Sequence, residues 1–262
     1  MENKIDAITS YSKAGYNVSG RLMVNSFIQN WPENISLTVY IDEDIEDKVL
    51  GKNVTYVILD NKELKDFKIR HKNNEEANGL GLKKKDGKQY FIFDAVKFSH
   101  KVFAVIDFIE KNDTDVVIWL DGDTRTHSKI SDRDIQSWCP TEKFAAYLSR
   151  PWKYTETGFH MFRTKNEIAK DFFNKWKSFY VDDSVFNLSG WTDCHTYDAA
   201  KEFFDDSHWY NLSPDTKVGH PFINGVLGNF MDHMKGERKK NGTSNKKDLK
   251  IAKKGSYWSN IK

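Results

Sequence analysis

Val116-Val117-Ile118-Trp119-Leu120 narrows what this chain can fold into more than any other stretch. Five apolar residues without alternation need cover on both faces, which is the environment of a central strand in a parallel sheet. Asp121-Gly122-Asp123 follows at once. The strand therefore ends at Leu120, and the two carboxylates stand at its carboxyl end, where open α/β sheets bind their ligands. The stretch before it agrees. Ala95, Phe98, Val102, Val105, Ile106 and Ile109 recur at helical spacing, and Asp94 is placed to cap that helix.

The rest of the chain repeats the alternation. Ile5 to Ile8 reads as a strand, Ser10 to Ser19 as a polar turn, and Gly20 to Trp31 as a helix with Met23, Phe27 and Trp31 on one face, stopped by Pro32. Strands are predicted at 35–41, 54–59, 144–148 and 158–162, and helices at 166–180 and 193–204. Strands alternating with helices predict an α/β protein with a mostly parallel central sheet flanked by helices. Residues 61–90, crowded with Lys, Asn, Glu and Gly, read as a short helix and then a variable loop insertion. The expected organisation is one domain over residues 1–240 and a basic tail over 241–262. From Lys235 to the end there are ten basic residues against two acidic ones, although the 262-residue chain carries a net charge of only +2.

That balance of 40 basic against 38 acidic residues excludes a histone-like or strongly anionic chain. Hydrophobic residues are only 39%, but 18 Phe, 11 Tyr and 8 Trp supply large rings for a core. No apolar run reaches the ~20 residues that span a bilayer, and the first residues lack the apolar segment of a signal peptide, so the expected location is the cytoplasm. Cys139 and Cys194 read as free thiols of a reducing compartment.

Two short motifs carry chemistry. Asp121 and Asp123, one residue apart, suit a hard divalent cation such as Mg²⁺ or Mn²⁺, which takes oxygen ligands and bridges them to phosphate. His233-Met234-Lys235-Gly236-Glu237-Arg238-Lys239 adds an imidazole ligand, a glycine that lets backbone approach phosphate, and a lysine to meet its charge. Together they predict one metal held by Asp121, Asp123 and His233.

With those residues in view, the chain resembles GT-A (Rossmann-like) glycosyltransferases, in particular the retaining group that includes glycogenin and bacterial galactosyltransferases. That group has an Asp-x-Asp motif after an apolar strand and a late His-x-x-Gly-x-x-Lys, matched by Asp121/Asp123 and by His233/Gly236/Lys239. The chain is also similar to a group of bacterial and phage glycosyltransferases that share the His-x-x-Gly-x-Arg-Lys ending. The resemblance implies a metal-dependent hexosyltransferase-like enzyme that moves a sugar from a nucleotide-sugar donor, a UDP-sugar, with retention of configuration and Mn²⁺ or Mg²⁺ as cofactor. It implies that Tyr16 stacks on the base while Thr9 or Ser10 hydrogen-bonds it. It places Asp121, Gly236 and Lys239 on the donor and Asp193 near the transferred sugar. Lys97, on the helix just before the metal strand, is a further candidate to reach the donor, and Asp193 and Glu156 are the candidate catalytic carboxylates. The acceptor is left open among glycan, protein and modified nucleic acid, and a phage-encoded chain would work in its host's cytoplasm.

The chain also departs from that group. The Pro-Trp that follows the motif lysine is absent, Glu156 or Thr157 stands where a strand Asn is expected, and Cys194 replaces a Gln. Two other readings compete. In a haloacid-dehalogenase-like phosphohydrolase Asp121 would be the nucleophile and Asp123 the acid, but the motif lies far from the chain start and His233 has no part in it. The other is a non-catalytic sugar-nucleotide-binding protein on the same fold.

Overall fold

A computed structural model describes residues 3–80, 91–150, 153–213, 220–253 and 255–261. The chain forms two compact units, each discontinuous in sequence: Met1–Ile58, Thr114–Thr164 and Ser207–Lys262 make one, Leu59–Asp113 and Lys165–Asp206 the other.

The first unit is built on a seven-stranded sheet. Its strands are β1 (Ile5–Tyr11), β2 (Ser36–Ile41), β3 (Val54–Ile58), β4 (Val116–Leu120), β6 (Ala145–Arg150), β7 (Lys153–Arg163) and β8 (Trp209–Asn211), in the order β3-β2-β1-β4-β7-β6-β8. Among the described residues four of its six strand pairs are parallel, and β7 alone runs against its neighbours. All five residues of β4 are buried, as the uninterrupted apolar run requires. A separate two-stranded ladder pairs β5 (Thr124–Thr126) antiparallel with β9 (Met231–His233), with Thr124 opposite His233.

Helix α1 (Arg21–Asn30) packs Met23, Val24 and Phe27 into the core of this unit. Phe27 stacks on Trp31 with ring centroids 4.8 Å apart. Full burial of side chains of this size is worth roughly 1.5–3 kcal/mol each. The polar face of the same helix holds β5. Thr126 N donates to Ser26 Oγ (3.0 Å), Asn30 Nδ2 to Thr126 O (2.8 Å), and Trp31 Nε1 to Thr126 Oγ1 (3.0 Å). The stretch expected as a polar turn before this helix is instead helical, with α-helix at Lys13–Gly15 and a wide π turn at Tyr16–Gly20. Ser12 starts it by accepting from Gly15 N at 3.1 Å, a cap that the two nearby glycines mask in the sequence.

The second unit is helical: α2 (Lys62–His71), α3 (Ala95–Lys111), α4 (Ala169–Val181) and α5 (Asp193–Lys201). Asn61 and Asp94 cap the first two. Phe67, Phe172, Trp176, Tyr180 and Tyr197 are fully buried; the Phe67 and Tyr180 rings meet edge to face at 5.3 Å, and Phe172 and Tyr197 at 5.6 Å. The predicted helices and long strands are present within a few residues of their expected bounds. Of the loop insertion expected over 61–90, positions 81–90 lie outside the described residues. Both cysteines are free thiols, and no described helix is long and apolar enough to cross a membrane.

Candidate metal and donor site

The site forms where β4 ends. Asp121 N donates to Gly158 O at 2.9 Å, which carries the β4–β7 pairing one residue past the strand. The chain then turns, and Tyr11 Oη and Ser19 Oγ each donate to Gly122 O at 2.9 Å. Asp123 leads into β5, and its carbonyl accepts from Met234 N at 2.9 Å. The β5–β9 ladder thus delivers His233 to the two aspartates. His233 Nε2 lies 2.9 Å from Asp123 Oδ1 and 3.5 Å from Asp121 Oδ2. One ligating atom from each of the three residues falls within 4.8 Å of the others.

This donor set fits a divalent cation. Two carboxylates and one imidazole are ligand types that divalent cations take, and Asp121, the most exposed of the three, leaves an approach from solvent. Trp119 Nε1 donates to Asp121 Oδ1 at 2.8 Å and fixes that carboxylate. Lys239 Nζ lies 2.9 Å from Asp123 Oδ2, so the motif lysine reaches the metal cluster itself. Gly236 carries φ +61°, a left-handed conformation that shapes the turn between His233 and Lys239 and that other residues adopt at a cost.

Electrostatics follow the geometry. Burial by itself would raise the Asp123 carboxyl, but His233 and Lys239 beside it hold it below the ordinary value. Burial would strip the proton from His233, yet Asp123 and Asp121 raise its pKa to about 9. Behind the imidazole lies Glu156, almost wholly buried. Burial would raise its pKa, but Lys235, His233, His220 and Arg150 around it hold it far below the usual carboxylate range. His220 is itself pushed well down, chiefly by burial.

The structure brings together Asp121, Asp123, His233, Lys239 and Glu156, all in the first unit. Thr9 is buried and Ser10 half-buried in β1. Tyr16 has no accessible surface. Its hydroxyl contacts Tyr56 Oη at 3.0 Å and accepts from Val49 N at 2.8 Å, and Tyr11 and Tyr56 meet its ring edge to face. A stacking role on a base would require that ring to be uncovered. Lys97 and Asp193 belong to the helical unit. There Lys97 is exposed near the first turn of α3, and Asp193 is buried in an ion pair with Lys101. Lys235 and Arg150, both on Glu156, were not singled out from the sequence. Only the alternation of His233 and Lys235 hints at the first, and nothing local signals the second.

No protein-family model and no curated protein matches the chain. Solved structures do. A bifunctional glycosyltransferase, WbbM, in its apo form, aligns with a TM-score of 0.51 at 14% identity over 90% of this chain and 46% of its own. The glycosyltransferase GlyE of Streptococcus pneumoniae TIGR4 aligns at 0.47 and 12% identity over 80% of this chain and 45% of its own. A glycosyltransferase involved in glycosylation of the major capsid of PBCV-1 aligns at 0.45 and 12% identity, over 91% of this chain and 98% of its own. The chain spans a little under half the length of the first two. At these identities the likeness to WbbM concerns architecture: the chain has the α/β fold of GT-A type that the motifs implied.

Proposed function

We propose that this protein is a metal-dependent glycosyltransferase that takes a sugar from a nucleotide-sugar donor, a UDP-sugar, with retention of configuration. One observation carries the reading: Asp121, Asp123 and His233 converge at the carboxyl end of the central strand, with Lys239 on the same cluster. Breaking a sugar–phosphate bond leaves a diphosphate with growing negative charge. A divalent ion held by the three ligands would act there as a Lewis acid. Asp121 and Asp123 orient that centre, and β4 and the β5–β9 ladder hold them rigid. Lys239 is fixed positive charge already in place before the diphosphate charge develops. A preorganised partner of this kind is worth ~3 kcal/mol, roughly a hundredfold in rate. In the structure Lys239 pairs with Asp123; with a cation on that carboxylate the ammonium would be free to meet a phosphate oxygen.

A phosphohydrolase would keep a nucleophilic Asp121 but give His233 and Lys239 no part. Titration calorimetry with UDP, with and without Mn²⁺, separates the two. UDP binding that requires Mn²⁺ supports the proposal, and Mn²⁺-independent UDP affinity overturns it. Release of UDP from a UDP-sugar then distinguishes an enzyme from a binding protein on the same fold.

A further inference from the structure

Glu156 lies on β7 with its carboxylate 3% exposed and on the far side of the His233 ring from the two aspartates. Its Oε1 accepts from Gly158 N at 3.3 Å and stands 3.7 Å from His233 Nδ1. Its Oε2 is paired with Lys235, with Arg150 Nη1 at 3.5 Å and His220 Nδ1 at 4.0 Å. His233 therefore has a carboxylate at each end, Asp123 on Nε2 and Glu156 on Nδ1. Nδ1 is buried and makes no hydrogen bond, which a native interior seldom tolerates without a nearby partner. Gly158 makes the arrangement possible. A Cβ there would come within 2.3 Å of His233 Cε1, so only a glycine lets the strand backbone lie this close to the ring.

We infer that Glu156 is a positioning residue for His233: its carboxylate accepts the Nδ1 proton and leaves the Nε2 lone pair aimed between Asp121 and Asp123. This rests on the metal reading above. A ring nitrogen that binds a metal must be deprotonated, so the neutral imidazole carries its proton on the other nitrogen, and that proton needs an acceptor. Glu156 Oε1 is the nearest carboxylate oxygen to Nδ1 among the described residues, and a shift of under about 1 Å closes the gap to ordinary hydrogen-bond length. Lys235 is paired with the other carboxylate oxygen of Glu156 and Arg150 Nη1 lies 3.5 Å from it, which holds the carboxylate in place beside the ring. Glu156 thus acts through His233 rather than as an acid that touches the substrate, which replaces the catalytic role expected of it.

The test has two arms. In the first, Mn²⁺ affinity is measured by the electron paramagnetic resonance of free Mn²⁺ on the whole chain, on Glu156→Leu, on Glu156→Gln and on Asp123→Asn, with melting temperature and circular dichroism as fold controls. Glu156→Leu is expected to weaken Mn²⁺ binding about 10–100-fold. Glu156→Gln, whose carbonyl still accepts, is expected to recover part of that loss. If Asp123→Asn loses Mn²⁺ and folded Glu156→Leu does not, this inference fails while the metal site stands. If neither changes Mn²⁺ binding, the metal reading itself falls. The second arm needs no Glu156 variant. Long-range ¹H–¹⁵N spectra of the Mg²⁺-loaded wild-type chain, assigned with His233→Asn, are expected to show His233 protonated on Nδ1. A proton on Nε2 overturns the inference.

Discussion

His233 joins the two halves of the site, because its imidazole lies against both aspartates and its strand partner is the residue that follows Asp123. Replacing Asp123 by Asn keeps the shape but removes the charge that His233 meets and a bound cation would use. We expect Asp123→Asn to cost on the order of 100-fold or more in donor turnover with circular dichroism unchanged. Wild-type release of UDP from a UDP-sugar would refute this. The raised pKa of His233, about 9 against an ordinary 6.5, sets a pH dependence. The metal-free imidazole must give up its proton to ligate, so apparent Mn²⁺ affinity should rise by up to about tenfold per pH unit between 6.5 and 9 and level off above that. Stability of the metal-free protein runs the other way. A raised folded pKa stabilises fully below 6.5, and that contribution disappears as pH climbs through 9. Calorimetry with Mn²⁺ and denaturation in EDTA over that range should therefore show opposite slopes. That Asp121, Asp123 and His233 would converge was expected from the sequence because a divalent cation would take those residue types, and the structure brings them together with Lys239 beside them. Glu156 was read as a departure from the Asn expected there and as a candidate catalytic carboxylate, but its charged surroundings were invisible.

At the scale of elements, β5 and β9 are three residues each, too short to leave any periodicity, and neither was foreseen. The long elements were. α3 shows 17 residues of helical spacing and β4 an unbroken apolar run, and patterns of that length outweigh local ambiguity. β9 is also the anchor for the chain beyond it. Asp232 is fully buried and accepts from Ser244 N (2.7 Å), Ser244 Oγ (2.5 Å) and Tyr257 Oη (2.6 Å), while Asn224 Oδ1 accepts from Lys250 N (2.6 Å). The segment that carries Lys239 is thereby tied on both sides of that residue. Asp232→Ala leaves those donors without their acceptor at a cost of about 1–3 kcal/mol. We expect a lower urea midpoint and faster proteolysis within 236–262. An unchanged midpoint and cleavage pattern would show that Trp258 and Ile261, both buried, hold the segment without the carboxylate.

At the scale of the whole molecule, a donor that binds only the folded chain should stabilise it, by roughly 2.7 kcal/mol at a hundredfold excess over its dissociation constant. A panel of nucleotide sugars screened by thermal shift with Mn²⁺ should raise the melting temperature for a UDP-sugar and not without the metal. An equal shift in EDTA would contradict the proposed chemistry. The sequence by itself determined the α/β class, the place of β4 in the sheet and the residue types of the candidate metal cluster. Burial on two faces and cation ligation are demands that local composition must meet wherever the chain runs. Only the tertiary structure decided that residues 110 positions apart share one centre, that Tyr16 is enclosed, and that Glu156 stands behind His233. Those facts depend on strand order, on the β5–β9 register and on a glycine narrow enough for a ring to lie against it, and long-range pairing of short strands leaves no mark in the residues that pair.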